Sequence, residues 1–144
     1  MTESFGNLWN HHARSIPICI TTNGTVRGDG ACVMGAGIAA QARCRFNGLE
    51  HRLGRNIQLH GLNVCFLEAE NLIAFPVKHR WHQMADLELI ELSGHQLVDL
   101  VAIKGWSHVC LPRPGCGNGQ LKWENVKPAL YMLDDRFEIV ERKR

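Results

Sequence analysis

Val109-Cys110-Leu111-Pro112-Arg113-Pro114-Gly115-Cys116-Gly117-Asn118-Gly119-Gln120-Leu121-Lys122-Trp123 decides how the rest of the chain is read. An apolar run of strand length ends at two prolines flanking an arginine. Three glycines then alternate with other residues, and the pattern turns helical at Trp123. Strand, glycine loop, helix is the order in which an open α/β sheet holds a phosphate: glycine lets the ligand touch bare backbone N–H groups. A single loop of this kind is also what a plain tight turn looks like. A second one, Val33-Met34-Gly35-Ala36-Gly37-Ile38, changes the weight of the reading. Two such loops suggest two walls of one diphosphate cleft.

Working outward, the chain has 144 residues, enough for one domain spanning 1–144 with a sizeable core. The net charge of +2 argues neither for nor against nucleic acid. No apolar run approaches the roughly 20 residues of a membrane helix, and no basic start followed by an apolar stretch marks a signal peptide, so no membrane partner is expected. The six cysteines, Cys19, Cys32, Cys44, Cys65, Cys110 and Cys116, contain no C-x-x-C pair and several sit in apolar runs. They read as free thiols of a cytoplasmic protein. His11 and His12 are adjacent rather than at helical ligand spacing, and His79 and His82 have no cysteine or acidic partner at metal spacing. No metal site is expected, and Arg142-Lys143-Arg144 reads as a solvated tail.

In chain order, Ile16 to Thr22 is β-branched and nearly continuously apolar, hence a strand buried on both faces. Val33 to Gly37 opens an alanine-rich helix through about Arg45, whose first turn carries N–H groups free to bind an anion. Taken alone, Gly-Ala-Gly fits close helix–strand packing as well. Leu49 to Arg55 reads as a short helix, and Leu62–Leu67 with Asn71–Phe75 as a hairpin. Pro76 to Trp81, basic and aromatic, follows as a loop beyond a strand's end, where open sheets face their ligands. Spacing alone favours instead a solvated basic loop with Trp81 packed on the core. Asp86 to Lys104 is the clearest helix, with Leu87, Ile90, Gly94, Leu97 and Val101 on one face, Asp86 as N-cap and Gly105 as its stop. Asn125 is expected to cap a last helix with Pro128 in its first turn, and Phe137 to Val140 to form a final strand. The alternation implies a three-layer α/β/α domain with a mixed, mostly parallel sheet.

At the two glycine loops and Phe75-Pro76-Val77-Lys78, the sequence resembles the macrodomain family, whose members bind ADP-ribose, over essentially the whole chain from about Gly6 to Val140. The motifs are similar to those of the subgroup that removes terminal ADP-ribose from protein carboxylates, or from DNA bases in toxin–antitoxin pairs. They also resemble small stand-alone forms found in phages and bacteria. The resemblance implies an ADP-ribosyl hydrolase, with ADP-ribose or an ADP-ribosylated substrate, ADP-ribosylated DNA included, as partner. It implies no cofactor and a monomer. It places Lys78 at the catalytic position and Asn7 and Leu8 beside the adenine. Asn23 falls at the distal ribose, with Met34, Gly35, Ala36, Gly37 and Ile38 around the diphosphate in the first loop. The second loop contributes Pro114, Gly115, Cys116, Gly117, Asn118 and Gly119.

Three departures from the family pattern stand out. The first strand reads as short or missing. Asn7 stands where a carboxylate often faces the adenine amino group, and an amide accepts that hydrogen bond without charge assistance. Asn118-Gly119 replaces the loop aspartate of protein-directed relatives and matches the DNA-directed form. Cleavage at C1″ would use Lys78 as an amine nucleophile, forming an imine with the opened sugar, or as an ammonium acting on the leaving group. His79 and Arg80 would tune it if they point inward, and Asp29 is the one nearby carboxylate to nominate as a supporting base. Two other readings use the same loops: a non-catalytic module binding ADP-ribose or an NAD-derived nucleotide, and an ADP-ribose 1″-phosphate phosphatase.

Overall fold

A computed structural model describes residues 1–142 of the chain. Lys143 and Arg144, the end of the expected tail, lie outside the described residues. Six strands form one sheet: β1 (Thr2–Gly6), β2 (Ile18–Asn23), β3 (Cys65–Leu67), β4 (Leu72–Lys78), β5 (Val109–Leu111) and β6 (Phe137–Arg142). Their order is β1-β6-β5-β2-β4-β3, and only the β3–β4 hairpin is antiparallel. The sheet is thus mixed and mostly parallel, as the alternation of elements implied.

Strand periodicity sorts the core into two layers. Ile18, Ile20, Leu72, Ala74, Cys110 and Val140 face one side, where α1 (Leu8–Ala13), α2 (Gly37–Arg45) and α3 (Leu49–His60) pack. Cys19, Ile73, Phe75, Val77, Val109, Leu111, Phe137 and Ile139 face the other, covered by α4 (Leu87–Lys104), α5 (Trp123–Val126) and a 3-10 turn at Lys127–Leu130. All six cysteines are free thiols, and no helix among the described residues is long and apolar enough to cross a membrane.

Several boundaries differ from the sequence reading. The first strand is not missing: Thr2–Gly6 pairs in parallel with β6 through five residues, from Thr2 with Glu138 to Gly6 with Arg142. As an edge strand it needs only one partner, and its exposed positions tolerate the polar residues that hid it. The short helix at Leu49 runs on to His60, ended by Gly61 at positive φ. Strand β4 continues through Pro76 to Lys78, its register against β2 shifting between Thr22 and Asn23. A bulge of this kind accommodates a residue without an N–H. Asn125 lies inside α5 rather than capping it, while Pro128 does sit in the first turn of the following 3-10 turn. Helix α4 has the expected caps, but Leu87 is exposed and Leu89 and Ser93 are buried beside Ile90, Leu97 and Val101.

Candidate functional site

A cleft of about 1370 Å³ opens at the carboxyl ends of the parallel strands. That exceeds the few hundred to 1000 Å³ of typical small-ligand pockets and suits a long ligand. Both glycine loops line it. The first, after Met34, ends at Ala36, which precedes α2 in extended conformation, so Gly37 begins the helix at φ +59, a left-handed value glycine adopts without strain. The second leaves β5 and folds on itself: Leu121 N–H donates to the Gly115 carbonyl and Gln120 N–H to that of Gly117. Gly119 is locked inside this turn. A Cβ there would lie 2.4 Å from the Gly115 oxygen and 2.8 Å from the Ala85 Cβ. The loops meet: a Cβ on Gly37 would lie 4.0 Å from the Asn118 side-chain nitrogen.

The walls carry a one-sided charge. Arg27, Arg45, Lys78, Arg113 and Arg142 line the cleft, and no aspartate or glutamate does among the described residues. A field of this sign draws in a dianionic diphosphate, although Arg113 is shared with Glu141 at 2.8 Å. Lys78 closes β4 at the cleft, and its Nζ donates to the carbonyls of Trp81, at 3.3 Å, and Asn118, at 3.2 Å. It therefore ties the second loop to the β4 end. Two donated bonds leave a third N–H if the group is an ammonium, or a lone pair if it is an amine. Cys32 and Cys116 adjoin the loops, but burial pushes Cys32 up to about 11 and holds Cys116 above the ordinary thiol range. Both stay protonated at neutral pH and are poor nucleophiles.

No protein-family model matches the chain. Among curated proteins, the human ADP-ribose glycohydrolase OARD1 is 27% identical over 112 residues, covering 78% of this chain and 72% of that one. Among solved structures, the macrodomain of Mycobacterium tuberculosis DarG superposes with a TM-score of 0.79 at 22% identity, over 99% of both chains. The chain has the macrodomain fold. Thermosipho africanus DarTG, solved in complex with ADP-ribose, gives a TM-score of 0.71 at 21% identity. That match covers 88% of this chain and 38% of the longer DarTG chain.

Most residues singled out from the sequence come together in this cleft. Asn7, Leu8, Asn23, Met34, Gly35, Ala36, Gly37, Ile38, Lys78, Gly115, Gly117, Asn118 and Gly119 all line the cleft. Pro114 and Cys116 do not: Pro114 is buried and the Cys116 thiol turns back to its carbonyl at 3.6 Å. Asn7 caps α1, its Oδ1 accepting the Trp9 N–H. Asn23 braces the first loop, donating to the Val33 carbonyl and accepting from the Thr25 N–H. Asp29 is exposed, holds its own turn through Ala31 N–H and does not line the cleft, so it cannot act as base there. His79 and Arg80 do not line it either; His79 turns away to Asp86 at 2.7 Å, an acidic partner seven residues on that metal spacing did not suggest.

Sequence reasoning missed the outer parts of the cleft. Trp9 lines the cleft beside Leu8, its indole N–H donating to Gln41 Oε1 at 2.7 Å and the Arg45 guanidinium lying 4.1 Å from its ring centroid. A helical offset of four between Gln41 and Arg45 places both on one face of α2 and was the available signal. Trp81 also lines the cleft but is 56% exposed rather than packed on the core. Arg142, taken as tail, is the last residue of β6 and lines the cleft as well.

Proposed function

We propose that this macrodomain binds ADP-ribose and hydrolyses the bond between the C1″ carbon of its distal ribose and an acceptor. The observation that carries the reading is the meeting of two glycine loops across a basic cleft free of carboxylates, with the Lys78 amine tied to the second loop. The loop amides of Gly35–Ile38 and Gly115–Gly119 would hold the diphosphate. Asn7, Leu8 and Trp9 would flank the adenine, and Asn23 would hold the first loop against the distal ribose. With no carboxylate among the described lining residues to activate water, Lys78 is the group left to act on C1″, as nucleophile or as acid. The relatives support the chemistry, since OARD1 is named an ADP-ribose glycohydrolase and DarTG is solved with ADP-ribose. Free thiols fit a reducing, cytoplasmic setting.

The acceptor we propose is a DNA base rather than a protein carboxylate. Asn118-Gly119 stands where protein-directed forms carry an aspartate, and a side chain on Gly119 would meet the Gly115 carbonyl oxygen at 2.4 Å. The exposed Trp81 offers a flat stacking surface for an unpaired base at the mouth. Incubation with ADP-ribosylated DNA, ADP-ribosylated protein, ADP-ribose 1″-phosphate and O-acetyl-ADP-ribose, scored by mass spectrometry, tests this. Release of ADP-ribose from DNA should be fastest, and faster release from protein refutes the assignment. Release of inorganic phosphate would identify a phosphatase instead.

One observation favours a second reading. Lys78 Nζ donates to two backbone carbonyls, as a strut between β4 and the second loop would. Such a strut suits a module that only binds ADP-ribose. Binding without turnover on any of the four substrates selects it.

A further inference from the structure

Away from the cleft, on the α1 side of the sheet, four metal-ligating side chains converge from three elements and one loop. His108 precedes β5, Cys110 lies within it, Glu138 lies on β6 opposite Cys110, and His11 lies on α1. Strand alternation puts His108, Cys110 and Glu138 on one sheet face, the one α1 covers. His108 Nε2 is 2.8 Å from Glu138 Oε1 and 3.5 Å from Cys110 Sγ. Cys110 Sγ is 3.9 Å from Glu138 Oε1, and His11 Nε2 is 3.9 Å from Glu138 Oε2. The ligand atoms of His11, Cys110 and Glu138 all lie within 4.8 Å of one another. Glu138 is further held by the Ser4 hydroxyl, which donates to Oε2 at 2.6 Å.

We infer that His11, His108, Cys110 and Glu138 form a binding site for a zinc-type divalent cation. Tetrahedral ligation with bonds of about 2.0–2.3 Å sets ligand atoms roughly 3.3–3.8 Å apart, and three of the four distances above lie within a few tenths of an ångström of that range. The His108–Glu138 pair must open, exchanging its hydrogen bond for two bonds to the metal, and the His108 ring must close on that of His11, whose centroid lies 6.2 Å away. One thiolate, two imidazoles and one carboxylate are a borderline-soft set that favours zinc over magnesium or calcium. Binding displaces the Cys110 thiol proton to solvent, and the Ser4 hydroxyl orients the carboxylate from behind. The site joins α1, β5 and β6, and α1 carries Leu8 and Trp9 to the cleft one turn before His11. A bound ion would therefore brace the adenine wall from outside the ligand site.

Cobalt titration of the whole chain tests the site. A thiolate-to-cobalt charge-transfer band with tetrahedral visible absorption, saturating at one equivalent and bleached by zinc, is expected. Cys110→Ala should abolish the band. His108→Gln, at a half-exposed position where folding is not at stake, should weaken zinc binding more than ~100-fold, as read against a chromophoric chelator. Cys44→Ser, at the exposed thiol, should leave the band unchanged. Absence of the band in the wild type, its survival in Cys110→Ala, or zinc affinity unchanged by His108→Gln would each overturn the inference.

Discussion

Replacing Gly119 by alanine isolates the geometry of the second loop. The added methyl would stand 2.4 Å from the Gly115 carbonyl oxygen, 2.7 Å from the Gly115 Cα and 2.8 Å from the Ala85 Cβ. The first two are backbone atoms, so no side chain can swing aside and the turn itself must open by roughly an ångström to restore ordinary contact. Overpacking of this kind costs about 1–3 kcal/mol, which lowers the melting temperature of a domain this size by about 3–10 °C. A loop amide displaced by that distance loses one charge-assisted hydrogen bond to the diphosphate, a drop of about 10–100-fold in ADP-ribose affinity. Gly117→Ala is the internal control, because nothing lies within 4 Å of a Cβ there. Its melting temperature should match the wild type. Differential scanning fluorimetry and calorimetry with ADP-ribose read both quantities. A Gly119→Ala protein with wild-type melting and wild-type affinity would refute the reasoning, as would an equal loss of stability in Gly117→Ala.

Lys78→Ala should leave ADP-ribose affinity within a few-fold while turnover collapses, the signature of an interaction made in the transition state. Lys78→Arg cannot restore a nucleophile, since guanidinium stays protonated, and borohydride should trap a protein adduct during wild-type turnover only if the amine attacks. Equal turnover by Lys78→Ala and wild type ends the lysine hypothesis. Trp81→Ala should reduce kcat/KM on modified DNA by roughly 5–100-fold through lost stacking, yet barely change binding of free ADP-ribose; an equal loss on the free nucleotide would place Trp81 elsewhere in recognition. Three hydrogen bonds from Arg136 hold Asp134 down at about 2, well below its ordinary 3.8. A lowered folded pKa gives stability that is fully present above about pH 4 and lost as pH falls toward 2. The amount is small because the pair is exposed. Arg136→Gln should raise the Asp134 titration seen by NMR and flatten stability over that window.

What was legible in the sequence was local and periodic. Helix α4 announced itself through Asp86, Gly105 and an apolar face, and the buried strand β2 through a β-branched run. The glycine loops were legible because few other purposes need glycine at alternate positions next to a helix start. Strand β1 was not, since an edge strand with one partner need not be apolar. The fate of Pro114 and Cys116 was not legible either: a loop that folds on itself turns some residues inward, and which ones depends on Ala85 and Ile90 from α4 and its approach. The same limit hid Trp9, Gln41 and Arg45, which meet only after α1 and α2 pack, and the cluster at Cys110. Its nearest sequence cue was His108-Val109-Cys110, an alternation that places both donors on one strand face.

The pairing of β1 with β6 has a consequence for the order in which the protein comes into being. Ser4 and its partner Glu138 are 134 positions apart in the chain, and among the described residues β6 is the only strand beside β1. While the chain is being translated, the segment leading into Asn7 and Leu8 waits undocked until residues 137–142 have left the ribosome. Loop closure over such a span comes late in folding as well. The end of the cleft lined by Gly6, Asn7 and Leu8 is therefore the last part of the site to be completed. A nascent chain with both glycine loops already formed would still hold nucleotide poorly, and gains full affinity only once β6 has docked against β1.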